Sequence, residues 1–367
     1  VKGQFGAIVT GATVTCGGKS KETNLYGECI LQLAKGPYDY EVTHPDHYDA
    51  KGTVNVGTSA MSVNVKMNIN PIAMNPEENG NIQMMLTGPS CSISVNSPTA
   101  NYVIDWGDGM TENASGTGSK SYPHTYGDNG LYQVEVRNCG DVTSCMASTS
   151  CLVAYWSIGG SKVYNITFRG CSKLIHFGKD VFKNDTNRTN ASSLLYECTS
   201  LTSVDLTSLA SWVNVTSCDY LLQGCTSLTS VDLTPLASWV NVTSCDYLLR
   251  YCSKLTSVDL TPLASWVKVT NCIYLLYGCT SLTSVDLTPL ASWTKMTNNS
   301  SFIYNCSKLI FVTVLSTTPF PLTSGALTNG NNCPIYVPDD AVDTYKTATN
   351  WSAYASRIKP ISEKTES

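Results

Sequence analysis

The chain has 367 residues, a length that predicts two to four domains. Its formal net charge of -5 at pH 7 argues against a nucleic-acid partner, because phosphate binding needs a concentrated basic face. No run approaches about 18 consecutive apolar residues, so membrane insertion is not expected.

Residues 1–71 predict a small β-domain. Alternating polar and apolar residues in "YDYEVT" and "SVNVKM" indicate half-buried strands. The order of "GATV" and "LAKGPYDYEVTHPDHY" resembles carboxypeptidase-regulatory-like or Cna-B-like β-sandwich modules. That resemblance implies a stalk or spacer, which would attach the protein to a larger assembly or to a second copy of itself.

Residues 72–152 predict a second β-domain after a boundary rich in Pro, Asn and Glu. The stretches "DWGDG", "HTY" and "GLYQVEV" resemble a PKD-type immunoglobulin-like domain. Asp105 and Asp108 of "DWGDG" have the chemistry of cation ligands. A structural turn, in which their carboxylates accept backbone N–H groups, is the favoured interpretation.

Residues 153–332 repeat with a fixed period. Six cysteines are each 27 residues apart: Cys171, Cys198, Cys225, Cys252, Cys279 and Cys306. A period between about 20 and 50 residues is the signature of a solenoid, in which each unit buries its apolar side against its neighbours. In "LTSVDL", Val231 and Leu233 should point inward and Asp232 outward. The rest of each unit predicts a short helix or an irregular turn.

The stretch "YLLQGCTSLTSVDLTPLASWVNVTSCDYLL" resembles the repeat of BspA-like leucine-rich-repeat surface proteins of the PARCEL type. This resemblance implies an exposed binding or adhesive protein and no reaction. Residues 333–367 are similar to the terminal cap of such arrays: a short strand at 334–337 precedes amphipathic helical turns that would bury Val342, Tyr345, Trp351, Tyr354 and Ile358. The predicted fold class is multidomain and mainly β, with two immunoglobulin-like β-sandwich modules followed by a capped leucine-rich-repeat solenoid.

The repeated cysteines are interpreted as small buried apolar residues. Disulfides along a column stay open, because stacked coils bring neighbours to within about 4.8 Å. Outside the repeats, Cys16 with Cys29 and Cys91 with Cys139 are the better disulfide candidates.

No enzyme is predicted, since the sequence has no G-x-S-x-G, H-E-x-x-H or P-loop motif, and no cofactor is expected. One acidic column repeats on the outward side of successive strands: Asp205, Asp232, Asp259 and Asp286. Neighbouring carboxylates attract cations, so calcium binding along this column is one hypothesis, and a turn or hydrogen-bonding role is the favoured one.

The two residues immediately before the repeated cysteine vary most between repeats. They define a candidate binding stripe, made of Tyr196, Glu197, Gln223, Arg250, Tyr251, Tyr277 and Tyr304. Tyr and Arg are enriched at binding hot spots. Drift on an exposed turn is the alternative explanation.

The sequence therefore predicts a non-catalytic extracellular or cell-surface protein of a microbe. Its partner would be a protein or glycan on a host or neighbouring cell. Two alternatives stay open: a bacteriophage virion fibre or decoration protein that serves host attachment, and a subunit of an extracellular filament built by exchange of N-terminal strands.

Overall fold

The computed structural model is mainly β, as the sequence predicts. It describes residues 1–3, 9–45, 47–67, 81–127, 130–157, 163, 166–178, 180–183, 185–328 and 332–364. Within these residues the single α-helix, α1, spans Val342–Thr347. Among the described residues, none of the helices has the length and apolar character needed to cross a membrane.

The first strands form two small sheets. They are β1 (Lys2–Gly3), β2 (Thr13–Cys16), β3 (Lys19–Glu22), β4 (Gly36–His44), β5 (His47–Val56) and β6 (Lys66–Met67). Four strands pair antiparallel in the order β3-β2-β4-β5, and β1 pairs with β6 in parallel. Gly17 and Gly18 both have positive φ, as a two-residue hairpin turn requires. Val9, Ala12, Val42 and Met67 form a core of their own.

The next strands form two larger sheets. They are β7 (Ile82–Thr87), β8 (Ser90–Ser97), β9 (Val103–Asp105), β10 (Thr111–Asn113), β11 (Gly118–Thr125), β12 (Leu131–Arg137), β13 (Ser144–Ala147), β14 (Leu152–Ser157) and β15 (His176–Phe177). Their orders are β10-β9-β12-β7-β14-β15 and β11-β8-β13. We call residues 81–157 the sheet region. Strand β7 is buried along its whole length, which places it at the centre of the core.

The "DWGDG" stretch is a hydrogen-bonded turn. Asp105 Oδ1 accepts the N–H of Gly107 at 3.0 Å, and Asp108 Oδ1 accepts that of Met110 at 3.0 Å. The other carboxylate oxygen of Asp108 lies 2.8 Å from His124 Nε2. These partners give both carboxylates a structural role.

The larger sheet crosses the boundary that the sequence predicts between residues 152 and 153. Strand β14 pairs antiparallel with β7 on one edge and parallel with β15 on the other. One hydrophobic core accordingly runs from Ile82 to Ile358. The sheet region and the repeats that follow are packed together.

We call residues 166–328 the repeat region. Its 27-residue coils are joined in register by parallel bridges from Asn190 through Ser217, Ser244 and Asn271 to Asn298. Strand β15 lies in the first coil of this region, and regular strands return only in the last described coils, as β16 (Ser284–Asp286) and β17 (Phe311–Thr313). In the coils between, the strand expected at "LTSVDL" is absent, because single bonds such as Thr229 N–H to Thr202 O at 3.2 Å join the coils there. Leu233 is nevertheless buried and Asp232 exposed, as predicted.

A tryptophan column forms the spine of the repeat region. The rings of Trp212, Trp239, Trp266 and Trp293 stack at 6.2–6.3 Å and are fully buried. Each coil reaches this column through a 3-10 helix, namely Thr207–Ser211, Thr234–Ser238, Thr261–Ser265 and Thr288–Ser292. Proline opens the last three, where its fixed φ favours the first helical turn.

The C-terminal residues continue the stack. Strands β18 (Ile335–Val337) and β19 (Ile358–Pro360) add to β16 and β17 in a parallel sheet. Helix α1 and the 3-10 turns Asp339–Ala341, Ser352–Tyr354 and Ile361–Glu363 complete this segment. Tyr345, Trp351, Tyr354 and Ile358 are buried, as their predicted amphipathic pattern requires, and Val342 is partly buried against the core.

Candidate binding face

The candidate face lies on the return segment of each coil, where the sequence predicts a short helix or an irregular turn. The structure has irregular turns, and every second N–H crosses to the next coil at 2.8–3.0 Å: Cys218 to Ser244 O, Tyr220 to Asp246 O, Leu222 to Leu248 O and Gly224 to Arg250 O. Between them, Leu221 and Gln223 donate their N–H groups three residues back within their own coil. The backbone is thus held on both sides, which fixes the direction of each side chain.

This bonding holds three tyrosines in the left-handed region. Tyr220, Tyr247 and Tyr274 have φ of 61°, 62° and 56°. A non-glycine residue there costs about 1 kcal/mol, so the bonds between coils must offset a strain that recurs in every coil. The rings stack along the column, at 4.5 Å between Tyr220 and Tyr247 and at 5.2 Å between Tyr247 and Tyr274.

A second tyrosine column runs beside the first. Tyr277 stacks on Tyr304 at 5.4 Å, and its edge meets the rings of Tyr251 at 5.3 Å and Tyr274 at 5.2 Å. Tyr196 meets Tyr220 edge-on at 6.3 Å. We call the two columns together the tyrosine face: Tyr196, Tyr220, Tyr247, Tyr251, Tyr274, Tyr277 and Tyr304.

Arg250 occupies the centre of the tyrosine face. Its guanidinium carbon lies 4.4–5.4 Å from the ring centroids of four residues: Tyr247, Tyr251, Tyr274 and Tyr277. Its Nη2 donates to the hydroxyl of Tyr251 at 3.3 Å. The rings and the cation attract one another, which orders the long side chain without an acidic partner.

A second cation lies at the N-terminal end of the face. The Arg169 guanidinium carbon is 5.1 Å from the ring centroid of Tyr196. It borders a polar cleft of about 820 Å³, which is also lined by Thr189, Asn190, Ser192 and Ser193. The hydroxyl and amide groups of this lining can donate hydrogen bonds to a polar ligand and accept them from it.

The phenol groups of Tyr196 and Tyr277 keep their protons near neutral pH. A hydrogen bond to Glu197 and partial burial raise the pKa of Tyr196. Partial burial and the neighbouring Tyr251 raise the pKa of Tyr277, although Arg250 acts in the opposite direction. The face therefore presents neutral hydroxyls around fixed guanidinium charges.

Two buried polar atoms in this face have no hydrogen-bond partner among the described residues. They are Gln223 Oε1 and Arg250 Nε, an acceptor and a donor on adjacent coils. An unpaired buried polar group costs about 1–3 kcal/mol. Gln223 is only 7% exposed, so its predicted place on an exposed stripe is wrong.

The residues that directly precede the cysteines alternate in size for a steric reason. A Cβ on Gly278 would lie 2.5 Å from Tyr251 Cδ1, and one on Gly224 would lie 3.0 Å from Glu197 Cγ. Each large side chain therefore covers a glycine of the next coil. The side chains of this column are therefore matched in size from coil to coil.

The structure brings the other members of the binding stripe together. Tyr251 and Tyr304 are 39% and 44% exposed, and Glu197 is exposed. Tyr196, Arg250 and Tyr277 are partly buried. The sequence prediction missed Tyr220, Tyr247 and Tyr274, which are identical in three successive coils, and Arg169, which stands before the first of the repeated cysteines.

The acidic column has a local structural role. Oδ1 of each carboxylate accepts the N–H two residues on, at 2.8–2.9 Å, at the start of a 3-10 helix: Asp205 to Thr207, Asp232 to Thr234, Asp259 to Thr261 and Asp286 to Thr288. Hydrogen bonds with Thr234 lower the pKa of Asp232. In the part of the chain that the structure describes, no three acidic, His or Cys side chains are grouped as metal ligands. The turn role explains this column without a cation.

Comparison with known proteins adds no relative: no protein-family model matches the chain, and no curated protein matches it.

Proposed function

We propose that this protein is a non-catalytic binding protein, secreted by a microbe or exposed on its cell surface, that recognises a glycan or a protein through the tyrosine face. The observation that carries this proposal is Arg250, which is held among four tyrosine rings with a buried, unpaired Nε. The ring contacts stabilise the face, and the partly exposed guanidinium among phenol hydroxyls also offers a polar ligand hydrogen-bond donors.

A glycan is the favoured ligand. Neutral phenol hydroxyls, two guanidinium groups and a cleft lined by hydroxyls and amides supply both donors and acceptors. Most ring faces within the columns are covered by neighbouring rings, so a ligand would meet hydroxyls and ring edges. Hydrogen bonding to a polyhydroxylated ligand suits this surface better than burial of a large apolar side chain.

We also propose that residues 153–332 are a leucine-rich-repeat solenoid of the BspA-like type, capped by residues 333–367. Bonds and ring stacks that recur at 27 residues support this assignment. Residues 1–71 and 72–152 would then be the carboxypeptidase-regulatory-like and PKD-like modules that present the repeats. A virion fibre could use the same face, and flanking capsid or tail genes would identify it.

Polymerisation through N-terminal strands receives less support. Strand β3 lies at an edge of its sheet, and its four side chains, including Lys19 and Lys21, are all exposed. Charged edge strands oppose pairing with another chain.

The test is a panel of immobilised glycans and extracellular proteins, probed with the parent protein and with the double variant Arg250→Ala, Tyr277→Ala. We expect the parent to bind members of the panel and the variant to lose about 30-fold or more in affinity, since a hot-spot residue contributes about 2 kcal/mol. Lys254→Ala, an exposed change in the same coil, is the control and should bind as the parent does. Equal binding by the double variant and the parent would reject the tyrosine face.

A further inference from the structure

Cys91 and Cys151 of the sheet region lie at one place in the fold although they are far apart in sequence. Strand β13 pairs with β8, and Ser148 continues that pairing by donating its N–H to Ser92 O at 2.8 Å. Cys151 closes the following turn with a bond from its N–H to Ser148 O at 3.1 Å, and its own carbonyl accepts the N–H of Thr87 at 2.9 Å. The Sγ of Cys91 faces the carbonyl of that same Thr87.

The two thiols lie close enough that each changes the pKa of the other. Both are buried, with Cys91 3% and Cys151 1% exposed. The Sγ of Cys151 also lies 2.8 Å from Ser148 Oγ. The hydrogen bond from Cys91 lowers the pKa of the Cys151 thiol to about 7, although burial acts in the opposite direction.

The thiols of the repeat region have a different environment. Five of them donate to the carbonyl of the residue 30 positions earlier, at 3.1–3.3 Å: Cys198, Cys225, Cys252, Cys279 and Cys306. Burial raises the pKa of each of these thiols. A protonated, buried thiol is a poor nucleophile, so these residues should stay reduced.

The sequence-based pairing of Cys91 with Cys139 does not fit the fold. The Cys139 thiol interacts with the backbone of Ile82, the first residue of β7. The Cys91 thiol faces the carbonyl of Thr87, the last residue of the same strand. Five residue steps along a strand span about 16 Å. Disulfide formation needs Cα atoms within about 7 Å.

We propose that Cys91 and Cys151 form a disulfide that joins the start of β8 to the turn before β14. The oxidant is a small-molecule disulfide such as oxidised glutathione, which acts late in folding, once the two thiols have come together and before the sheet region closes over them. The Cys151 thiolate attacks one sulfur of the oxidant, forms a mixed disulfide and releases one glutathione thiolate. Cys91 then loses its proton and attacks Cys151 Sγ, which releases the second glutathione. Two thiols are oxidised and one glutathione disulfide is reduced.

The test uses the full chain, refolded in a glutathione redox buffer. Free thiols are alkylated under denaturing conditions without reductant, and the peptides are identified by mass spectrometry. Cleavage after Met146 separates Cys151 from Cys139 and Cys145, and tryptic cleavage after Lys162 separates it from the cysteines of the repeat region, so the partner of Cys91 is assigned unambiguously. We expect a linked peptide pair that joins Cys91 to Cys151, with every repeat-region thiol alkylated.

Two variants sharpen the result. Cys91→Ser should leave Cys151 alkylated and unlinked, whereas Cys139→Ser should retain the link. If Cys91→Ser does not fold, the parent protein alone decides. Alkylation of both Cys91 and Cys151 in the natively refolded parent, or linkage of either to another cysteine, would overturn the proposal.

Discussion

The sheet region and the repeat region bury the same kinds of side chain but hold them differently. In the sheet region, Trp106 stacks on His124 at 4.4 Å, and the Tyr126 hydroxyl donates to Trp106 O at 3.1 Å. In the repeat region, Trp239 lies between Trp212 and Trp266 and donates its Nε1–H to Leu209 O at 2.9 Å. The first arrangement occurs once, and the second recurs in every coil.

The difference teaches where change is permitted. In the repeat region, equivalent positions of successive coils lie side by side. A large residue at such a position must therefore meet a small one in the next coil. The alternation of Glu197, Gly224, Tyr251 and Gly278 satisfies that condition. Variable positions in such an array are therefore coupled pairs, and they can carry function only in matched combinations.

The largest expected effect comes from breaking one matched pair. Gly278→Ala should lower the free energy of unfolding by about 2 kcal/mol or more, because the residue has φ of +75° and its Cβ would collide with Tyr251. Urea unfolding would measure this.

Gly170→Ala is the matched control for that prediction. Gly170 has the same φ in the same column, but its Cβ would meet no atom within 4 Å. Gly170→Ala should therefore lower the free energy of unfolding only by the cost of placing alanine at a positive φ. Adding Tyr251→Gly to Gly278→Ala should recover the steric part. Equal losses for the two alanine variants would show that the alternation has no packing role.

A smaller effect concerns an acidic pair that only the repeat region can produce. Asp246 accepts the N–H of Ile273 at 2.8 Å, and Asp219 of the previous coil accepts the N–H of Asp246 at 2.8 Å. Burial, together with the charge of Asp219, raises the pKa of Asp246 to about 6. The folded state therefore binds a proton more tightly than the unfolded state. The resulting stability is present below about pH 4 and is lost as the pH rises through 6.

Asp246→Asn should remove this pH dependence and stabilise the protein at pH 7 by about 1 kcal/mol, after allowance for solvent screening. Thermal unfolding at pH 4, 6 and 7.5 is the measurement. Asp232→Asn is the control, because its carboxylate has a lowered pKa and should leave the pH 6 transition in place. A variant at position 246 that keeps the parent's pH profile would contradict the assignment.

The smallest effect makes one coil more like the others. Ser208 stands where later coils have Pro235, Pro262 and Pro289, and its buried hydroxyl has no partner among the described residues. Ser208→Pro should raise the free energy of unfolding by about 0.5–1 kcal/mol, since proline fits the first helical position and restricts the unfolded chain. Ser238→Pro, at a position that bonds to the previous coil, should destabilise instead.

The period and the core of the repeat region can be predicted from the sequence, because Cys and Trp recur at a fixed spacing. Stacked coils bury both residue types in every repeat. The sequence is not sufficient for the tyrosine face. Tyr220, Tyr247 and Tyr274 are identical in three successive coils, so they resemble core residues, and Arg169 precedes the clearest repeats. The burial of Gln223 depends on a backbone of alternating turns that no hydrophobic periodicity reveals. The contact of Cys91 with Cys151 likewise depends on strand order.

The central claim is that the tyrosine face binds the ligand. Its most direct test replaces the residue pair before one repeated cysteine by the pair found at the same place in the previous coil. Arg250→Gln with Tyr251→Gly gives this coil the Gln223-Gly224 pair of the previous coil, and the glycine relieves the positive φ of Tyr251. A ligand found by the panel is titrated against the parent and the variant, with thermal unfolding of both as the reference. We predict unfolding free energies within about 1 kcal/mol of each other and an affinity reduced about 30-fold or more. Unchanged affinity in a folded variant would contradict the claim that the tyrosine face binds the ligand.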